Sequence, residues 1–474
     1  MNCNNSAKNL YHGLQVRVIK AFLNNDLIGV VDHVPLEMRP DGAETSRCCI
    51  YKSRALIKYR TMAVLGFGKE EEVDELLPLS KYAGMALRRT EISSKILTII
   101  DPACSGCMDA RYYVTNACQG CMARPCVVNC PRHCIMMING QAMIDEKLCV
   151  NCGKCEVVCP YHAIVRMPVP CEEACPVSAI GKNGQGKAEI DYLKCIYCGR
   201  CVSACPFGAI MERSQLLDIL RALGSGRRVY ALPAPAIAGQ FEGGLYKTMA
   251  ALRRAGFYAV EEVALGADEA ALRESREFLK KRREGLPFMT TSCCPAYVQA
   301  AHKTIPVILP FISETPSPLQ LTAARVKERD PEALTVFIGP CVAKRREAVD
   351  HHNVDYYMTF QELCALFDAY GIRVAENSDL CPERPASYYG RGFPLKGGVA
   401  SAILRHLPGQ PPVSTAYING LNKETLKRLE AYAGGNCPAQ LVEVMSCEGG
   451  CVNGPAVVAP AARAKNAIET MIGK

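Results

Sequence analysis

Tryptophan is absent from this 474-residue chain, and aromatic residues make up only 7% of it. No apolar run approaches the roughly 18 residues that a membrane-spanning helix needs. The longest tight patch, Ile96 to Ile100, is the size of one strand, so no membrane span is expected. The opening Met1-Asn2-Cys3-Asn4-Asn5-Ser6 is polar and lacks the apolar stretch of a secretory leader. A dinucleotide fingerprint is missing too. Gly66-x-Gly68 and Gly224-x-Gly226 are too short, and neither has an acidic residue at the right spacing, so a flavin or nicotinamide site is unsupported. The formal net charge is +8, yet no basic stripe with interleaved aromatics accompanies it, which argues against a nucleic-acid partner. With 49% hydrophobic and 22% charged residues, disorder and coiled coil are both disfavoured.

What the chain has in excess is cysteine, 28 in all. A chain of this length buries a full core without staples, and one without a leader is expected in the cytoplasm, where clustered cysteines bind metal rather than form disulfides. Their density divides the sequence. Residues 1–100 hold only Cys3, Cys48 and Cys49, residues 101–212 hold 17, and the remainder holds eight. Length alone suggests about three domains. The first part mixes a strand-like run, Leu14 to Ile19, with a helix expected over Glu70 to Leu77, and reads as a structural wrap or docking surface of unassigned role. The last part alternates. Arg228–Leu232, Pro287–Thr291, Leu334–Gly339 and Leu441–Met445 read as strands, and Ala267–Arg283 as a charged amphipathic helix, which together predict α/β layers.

In the middle, Cys149, Cys152, Cys155 and Cys159-Pro160 fit C-x2-C-x2-C-x3-C-P, and so do Cys195, Cys198, Cys201 and Cys205-Pro206. Three thiolates at that spacing wrap one corner of an iron–sulfur cube, and the fourth ligates the neighbouring cube. Structural zinc sites lack the third cysteine and the trailing proline. A stretched third copy, Cys118-x2-Cys121-x4-Cys126-x3-Cys130-Pro131, pairs with the Cys149 copy. One cluster then takes Cys118, Cys121, Cys126 and Cys159, and another takes Cys149, Cys152, Cys155 and Cys130. A split copy combines Cys104-x2-Cys107 with Cys171-x3-Cys175-Pro176. Cys175 would complete the set of Cys195, Cys198 and Cys201, and Cys205 the set of Cys104, Cys107 and Cys171. Four accessory [4Fe-4S] clusters use the sixteen ligands evenly; three is the alternative count. Cys134 is left over and reads as a small core residue. Each cube with its four thiolates carries about −2, so the basic excess offsets cluster charge. Such clusters form a wire and make no bonds themselves.

Three later segments stand out: Thr291-Ser292-Cys293-Cys294-Pro295, Gly339-Pro340-Cys341-Val342-Ala343-Lys344-Arg345-Arg346-Glu347, and Glu443 to Pro455 with Met445, Cys447 and Cys451. Each follows a strand-like run, so each is placed to project from a strand end into one cleft. Together they resemble the three signature segments of the iron-only ([FeFe]) hydrogenases, over about residue 226 to the end, with the ferredoxin block as a usual attachment. The resemblance implies a multidomain α/β (α+β) chain: residues 1–100, a ferredoxin-like block over 101–212, and a two-lobed catalytic domain over 226–474. It implies an H-cluster, a cubane joined through one cysteine to a two-iron centre with carbonyl, cyanide and dithiolate ligands. Carried over by position, Cys294, Cys341, Cys447 and Cys451 resemble the cubane ligands, and Cys451 the shared one. Cys293 is similar to the proton-delivering thiol, Lys344 to the residue that bonds a cyanide, Glu347 to a position near it, and Met445 to a methionine packed on the cluster. Ala234, Pro235 and Ala236 resemble the turn against the two-iron centre. Ser313 stands where the family has a proton-path serine, though it also fits a helix cap before Glu314 and Pro316. Gly397-Gly398 fits a family turn or a plain helix start. Cys364, Cys381 and Cys437 read as structural.

The resemblance further implies interconversion of dihydrogen with protons and electrons, ferredoxin as carrier, and dedicated maturation enzymes. The chain departs from the family pattern in several places. Gly339 replaces a methionine, Tyr297 a tryptophan, the third segment lacks its glycine-rich tail, and Glu274 and Glu277 sit one position off the proton-path glutamates. A non-catalytic iron–sulfur assembly relative and a hydrogen sensor are the alternative readings.

Overall fold

A computed structural model describes residues 6–43, 49–107, 111–408 and 411–473. The polar stretch 1–5 with Cys3, and Cys48, lie outside the described residues.

Two parallel sheets organise the C-terminal part. In the first, the strands run in the order Ala259–Val260, Val229–Pro233, Leu334–Gly339, Tyr356–Thr359. In the second the order is Met289–Thr290, Leu441–Met445, Thr415–Asn419. Val229–Pro233, Leu334–Gly339 and Leu441–Met445 are buried at every position, as continuous apolar runs in parallel sheets are. Leu334–Gly339 and Leu441–Met445 keep the bounds read from the sequence, whereas the Pro287–Thr291 strand shrinks to two residues and the Ala267 helix starts earlier, as Val263–Arg283. Because both sheets are parallel, the loops that carry the cysteines leave the C-terminal ends of their strands, where ligand clefts form.

The cysteine-rich block is a chain of short antiparallel pairs: Arg111–Val114 with Ile164–Met167, Ile135–Ile138 with Gln141–Ile144, and Ile180–Lys182 with Ala188–Ile190. Leu97–Ile99 pairs with Ile210–Glu212, so the first strand of this block precedes residue 101.

Two expectations for the N-terminal part fail. Leu14 to Ile19 is no strand but the middle of helix Ser6–Leu23. Leu14, Gln15, Val18 and Ile19 are buried there, the four-residue recurrence of a helix face, and that face packs on helix Phe360–Tyr370. Glu70 to Leu77 is no α-helix either. A single 3₁₀ turn, Lys69–Glu71, is followed by irregular chain, with Val73 96% and Leu76 88% exposed, so the segment has no apolar face to bury. Its acids bond elsewhere instead: Glu71 caps the Gly68 N–H, Glu70 and Glu71 pair with Arg213, and Glu72 with Lys69. Leu14, Val18, Ile57 and Met62 share one buried cluster with Leu232, Val336 and Leu363, so the N-terminal helices complete the core beneath the first sheet.

Candidate functional site

Cys294, Cys341, Cys447 and Cys451 line one cavity of about 100 Å³ with Cys293, Lys344, Met445, Ala234, Pro235 and Ala236. The three loops arrive there for local reasons. Cys294 caps helix Pro295–Lys303 and Cys341 caps helix Val342–Asp350, which places two thiols at the positive ends of helices. The Tyr357 hydroxyl accepts from the Cys341 N–H at 3.0 Å and donates to its carbonyl at 2.7 Å, pinning that loop. Gly450 has φ 97°, and a Cβ there would sit 2.2 Å from the Pro394 carbonyl oxygen, so only glycine lets the third loop turn to present Cys451.

Burial and neighbouring thiols push Cys341 and Cys447 well above the ordinary thiol range, and Cys451 up to about 12. Four half-buried cysteines around an apolar cavity suit a cationic iron core, which supplies the charge that stabilises thiolates. The other cation lining the cavity, Lys344, is matched: burial opposes its charge, but Glu347 at 2.6 Å holds its pKa above the usual lysine range. Glu347 in turn accepts from Gln320 at 2.8 Å. The donor set therefore fits an iron–sulfur group.

Behind Cys293 stands a file of polar groups. Glu274, 1% exposed, accepts from the Ser292 N–H at 3.2 Å, and its second carboxyl oxygen has no partner. Burial pushes Glu274 up to about 7, and its charge acts on Cys293, whose thiol burial likewise raises. The Ser313 hydroxyl donates to Glu277 at 2.6 Å and bears on Glu274 as well. Burial opposes the charge of Glu277, but bonds from Ser313, the Glu314 N–H and Lys281 hold it below the usual carboxylate range. Ser313 and Glu314 border a second, polar cavity with His302, Glu347 and His351. Ser313 thus caps no helix; Ser317 precedes the next one, Pro318–Arg329. Helix Val263–Arg283 carries both Glu274 and Glu277 and presents them toward this loop.

The departures have structural counterparts. A side chain at Gly339 would place its Cβ 2.6 Å from the Phe337 ring, and Phe337 itself lines the cavity. Tyr297 is fully buried, its hydroxyl 2.8 Å from that of Thr290. Gly397 starts helix Gly398–Arg405, and its N–H and that of Ala400 donate to the buried Glu443.

Two of the accessory cysteine sets each share a cavity. Cys130, Cys149, Cys152 and Cys155 line one small cavity, and Cys175, Cys195, Cys198 and Cys201 another. Cys126 lies beside Cys121 and Cys159, and Cys118 joins the same apolar cluster. Cys171 lies beside Cys107 and Cys205, and Cys104 accepts from the Ala188 N–H nearby. Cys198 also lines the main cavity and acts on Cys447, which makes its set the neighbour of the central four thiols. Cys364 is buried near His12 and Asp368, Cys381 is exposed, and Cys437 donates to the Ala439 carbonyl at 3.1 Å.

Residues 227–455 match the family model "Iron only hydrogenase large subunit, C-terminal domain", and residues 142–165 and 188–211 match "4Fe-4S binding domain". The chain is 28% identical over 376 residues to the periplasmic [Fe] hydrogenase large subunit of Nitratidesulfovibrio vulgaris, covering 66% of this chain and 85% of that one. It is 28% identical over 257 residues to iron hydrogenase 1 of Clostridium pasteurianum, 44% of each. It is also 27% identical over 263 residues to cytosolic iron-sulfur assembly component 3 of Mus musculus, covering 43% of this chain and 54% of that one. The chain thus spans about half the length of the latter two. Among the described residues, no helix is long and apolar enough to cross a membrane.

Proposed function

We propose that this chain, which belongs to the iron-only hydrogenase family over residues 227–455, interconverts dihydrogen with two protons and two electrons. Cys294, Cys341, Cys447 and Cys451 would hold the cubane, with Cys451 shared with the two-iron part. When bound, that group supplies a Lewis-acidic iron for dihydrogen and a base beside it. Lys344, held charged by Glu347, would bond an anionic ligand of that group. Met445, Ala234, Pro235 and Ala236 line the cavity and would enclose the group on its apolar side. The Cys293 thiol moves the proton between the cavity and Glu274, whose raised pKa suits it to exchange protons near neutral pH. Ser313 and Glu277 carry it on to the polar cavity.

Cys175, Cys195, Cys198 and Cys201 would hold the accessory cluster next to the central four thiols, and the accessory clusters would supply electron transfer. Four such clusters accord with the sixteen clustered cysteines. Ferredoxin is the external carrier in this reading, maturation enzymes install the two-iron part, and the cytoplasm is the compartment.

The observation that carries the reading is the conjunction of Cys293 and Lys344 on one cavity with a buried proton file behind it. The likeness to an iron–sulfur assembly component favours a second reading, in which the chain is non-catalytic. A scaffold has no use for a proton file, so the first reading is preferred. Cys293→Ser is expected to leave every cluster in place and nearly abolish hydrogen turnover with a reduced dye. Full activity in that variant would remove Cys293 from the mechanism.

A further inference from the structure

Four turns of the cysteine-rich block repeat one conformation. Cys130-Pro131-Arg132-His133-Cys134, Cys159-Pro160-Tyr161-His162-Ala163, Cys175-Pro176-Val177-Ser178-Ala179 and Cys205-Pro206-Phe207-Gly208-Ala209 each pair a cysteine with a proline. The fourth residue of each has a left-handed φ: 48° at His133, 49° at His162, 50° at Ser178 and 56° at Gly208. Its N–H donates to the carbonyl of the leading cysteine at 3.2–3.4 Å in all four. In three turns the fifth residue is alanine, and its N–H donates to the leading sulfur at 3.4 Å (Ala163), 3.1 Å (Ala179) and 3.5 Å (Ala209). In the first turn that place is taken by Cys134.

The extra sulfur does not point away. Cys134 is 3% exposed, and its Sγ lies 3.4 Å from that of Cys130. Both line the small cavity with Cys149, Cys152 and Cys155, so five thiols face one site built for four. Two thiolates on a single tetrahedral metal with bonds of about 2.3 Å stand about 3.8 Å apart. The observed separation therefore puts both sulfurs within reach of the same iron.

We propose that Cys134 is a reserve ligand for the iron corner that Cys130 holds, a proposal that rests on the reading of Cys130, Cys149, Cys152 and Cys155 as a [4Fe-4S] site. In the exchange the Cys130 thiolate leaves the iron and takes up a proton. The Cys134 thiol gives up its proton as its sulfur binds. One Fe–S bond breaks, one forms, and no electron moves. The cluster then survives damage to Cys130 that would otherwise release the iron it holds.

The test uses the full chain, loaded anaerobically, with iron content and the oxidised electron paramagnetic resonance spectrum as readouts. An intact [4Fe-4S] cluster is silent when oxidised, and a three-iron remnant is not. Cys130→Ala is expected to keep wild-type iron content and show no three-iron signal. Cys130→Ala with Cys134→Ala is expected to show that signal or lose the cluster. Equal loss in the single and double variants would overturn the reserve role. Cys152→Ala separates the two layers: if it changes neither iron content nor spectrum, the site holds no cluster, and the underlying reading fails with the proposal. Should Cys130→Ala not fold, Cys134→Ala alone decides. Under measured oxidant it is expected to gain the three-iron signal faster than wild type, and an equal rate would overturn the proposal.

Discussion

Glu274 sits on the buried stripe of its helix, among Ala267, Ala270, Ala271 and Phe278. A carboxyl there is costly unless it is kept neutral or put to use. Because its folded pKa of about 7 lies above the ordinary 4.5, the stability it contributes is full below about pH 4.5 and lost as pH rises through about 7. That shift corresponds to roughly 3 kcal/mol at one pKa unit per 1.36 kcal/mol. Glu274→Gln is therefore expected to flatten the dependence of the denaturation midpoint on pH between 5 and 8, and to lower hydrogen turnover by about 100-fold or more. An unchanged rate would take Glu274 out of the proton file. At this scale much of the site was legible. The accessory cysteine sets were read from spacing, and the four central thiols only from likeness to a family pattern. Glu274 and Glu277 were not placed, because alignment to a family pattern demanded a gap. The clue lay in the chain itself, a glutamate recurring in an apolar helical stripe.

Helices Val263–Arg283 and Pro318–Arg329 meet where a Cβ on Gly266 would lie 2.2 Å from the Pro318 carbonyl oxygen and 2.4 Å from the Thr322 hydroxyl. Glycine to alanine inside a helix ordinarily gains about 1 kcal/mol. Here backbone must move, and overpacking of that kind costs about 1–3 kcal/mol. The clash wins, so Gly266→Ala is expected to lower the denaturation midpoint, and a rise would contradict the close packing. Elements that satisfied themselves locally were readable. Leu334–Gly339 is apolar throughout and lies inside a parallel sheet. Leu14 to Ile19 misled, since a short apolar run fits strand and helix alike, and only its packing on helix Phe360–Tyr370 decides. Glu70 to Leu77 has helix-forming residues whose acids are drawn to Arg213, Lys58 and Lys69.

Across the whole molecule, Arg345 joins the parts. Fully buried, it pairs with Glu362 at 2.8 Å and Glu212 at 3.3 Å, bonds the Arg213 carbonyl, and lies against the Tyr357 ring. Glu212 ends the cysteine-rich block, Glu362 caps the helix under the N-terminal part, and Arg345 itself follows Lys344. Removing one partner of a buried ion pair costs about 3–5 kcal/mol. Arg345→Met is expected to lose that much in chemical denaturation, and a neutral result would show that the joint contributes nothing. No sequence pattern announced this joint, because Glu212, Arg345 and Glu362 come from separate segments. The same holds for the N-terminal helices, whose place depends on a core supplied by residues hundreds of positions away. The central claim is that the cavity around Cys293, Cys294, Cys341, Lys344, Cys447 and Cys451 holds a cubane-linked two-iron centre. The most direct test is the infrared spectrum of the anaerobically matured chain. Metal-bound carbonyl and cyanide bands are expected. Their absence in protein with loaded cubanes, while the same maturation system activates a control hydrogenase, would contradict the account and favour the assembly reading.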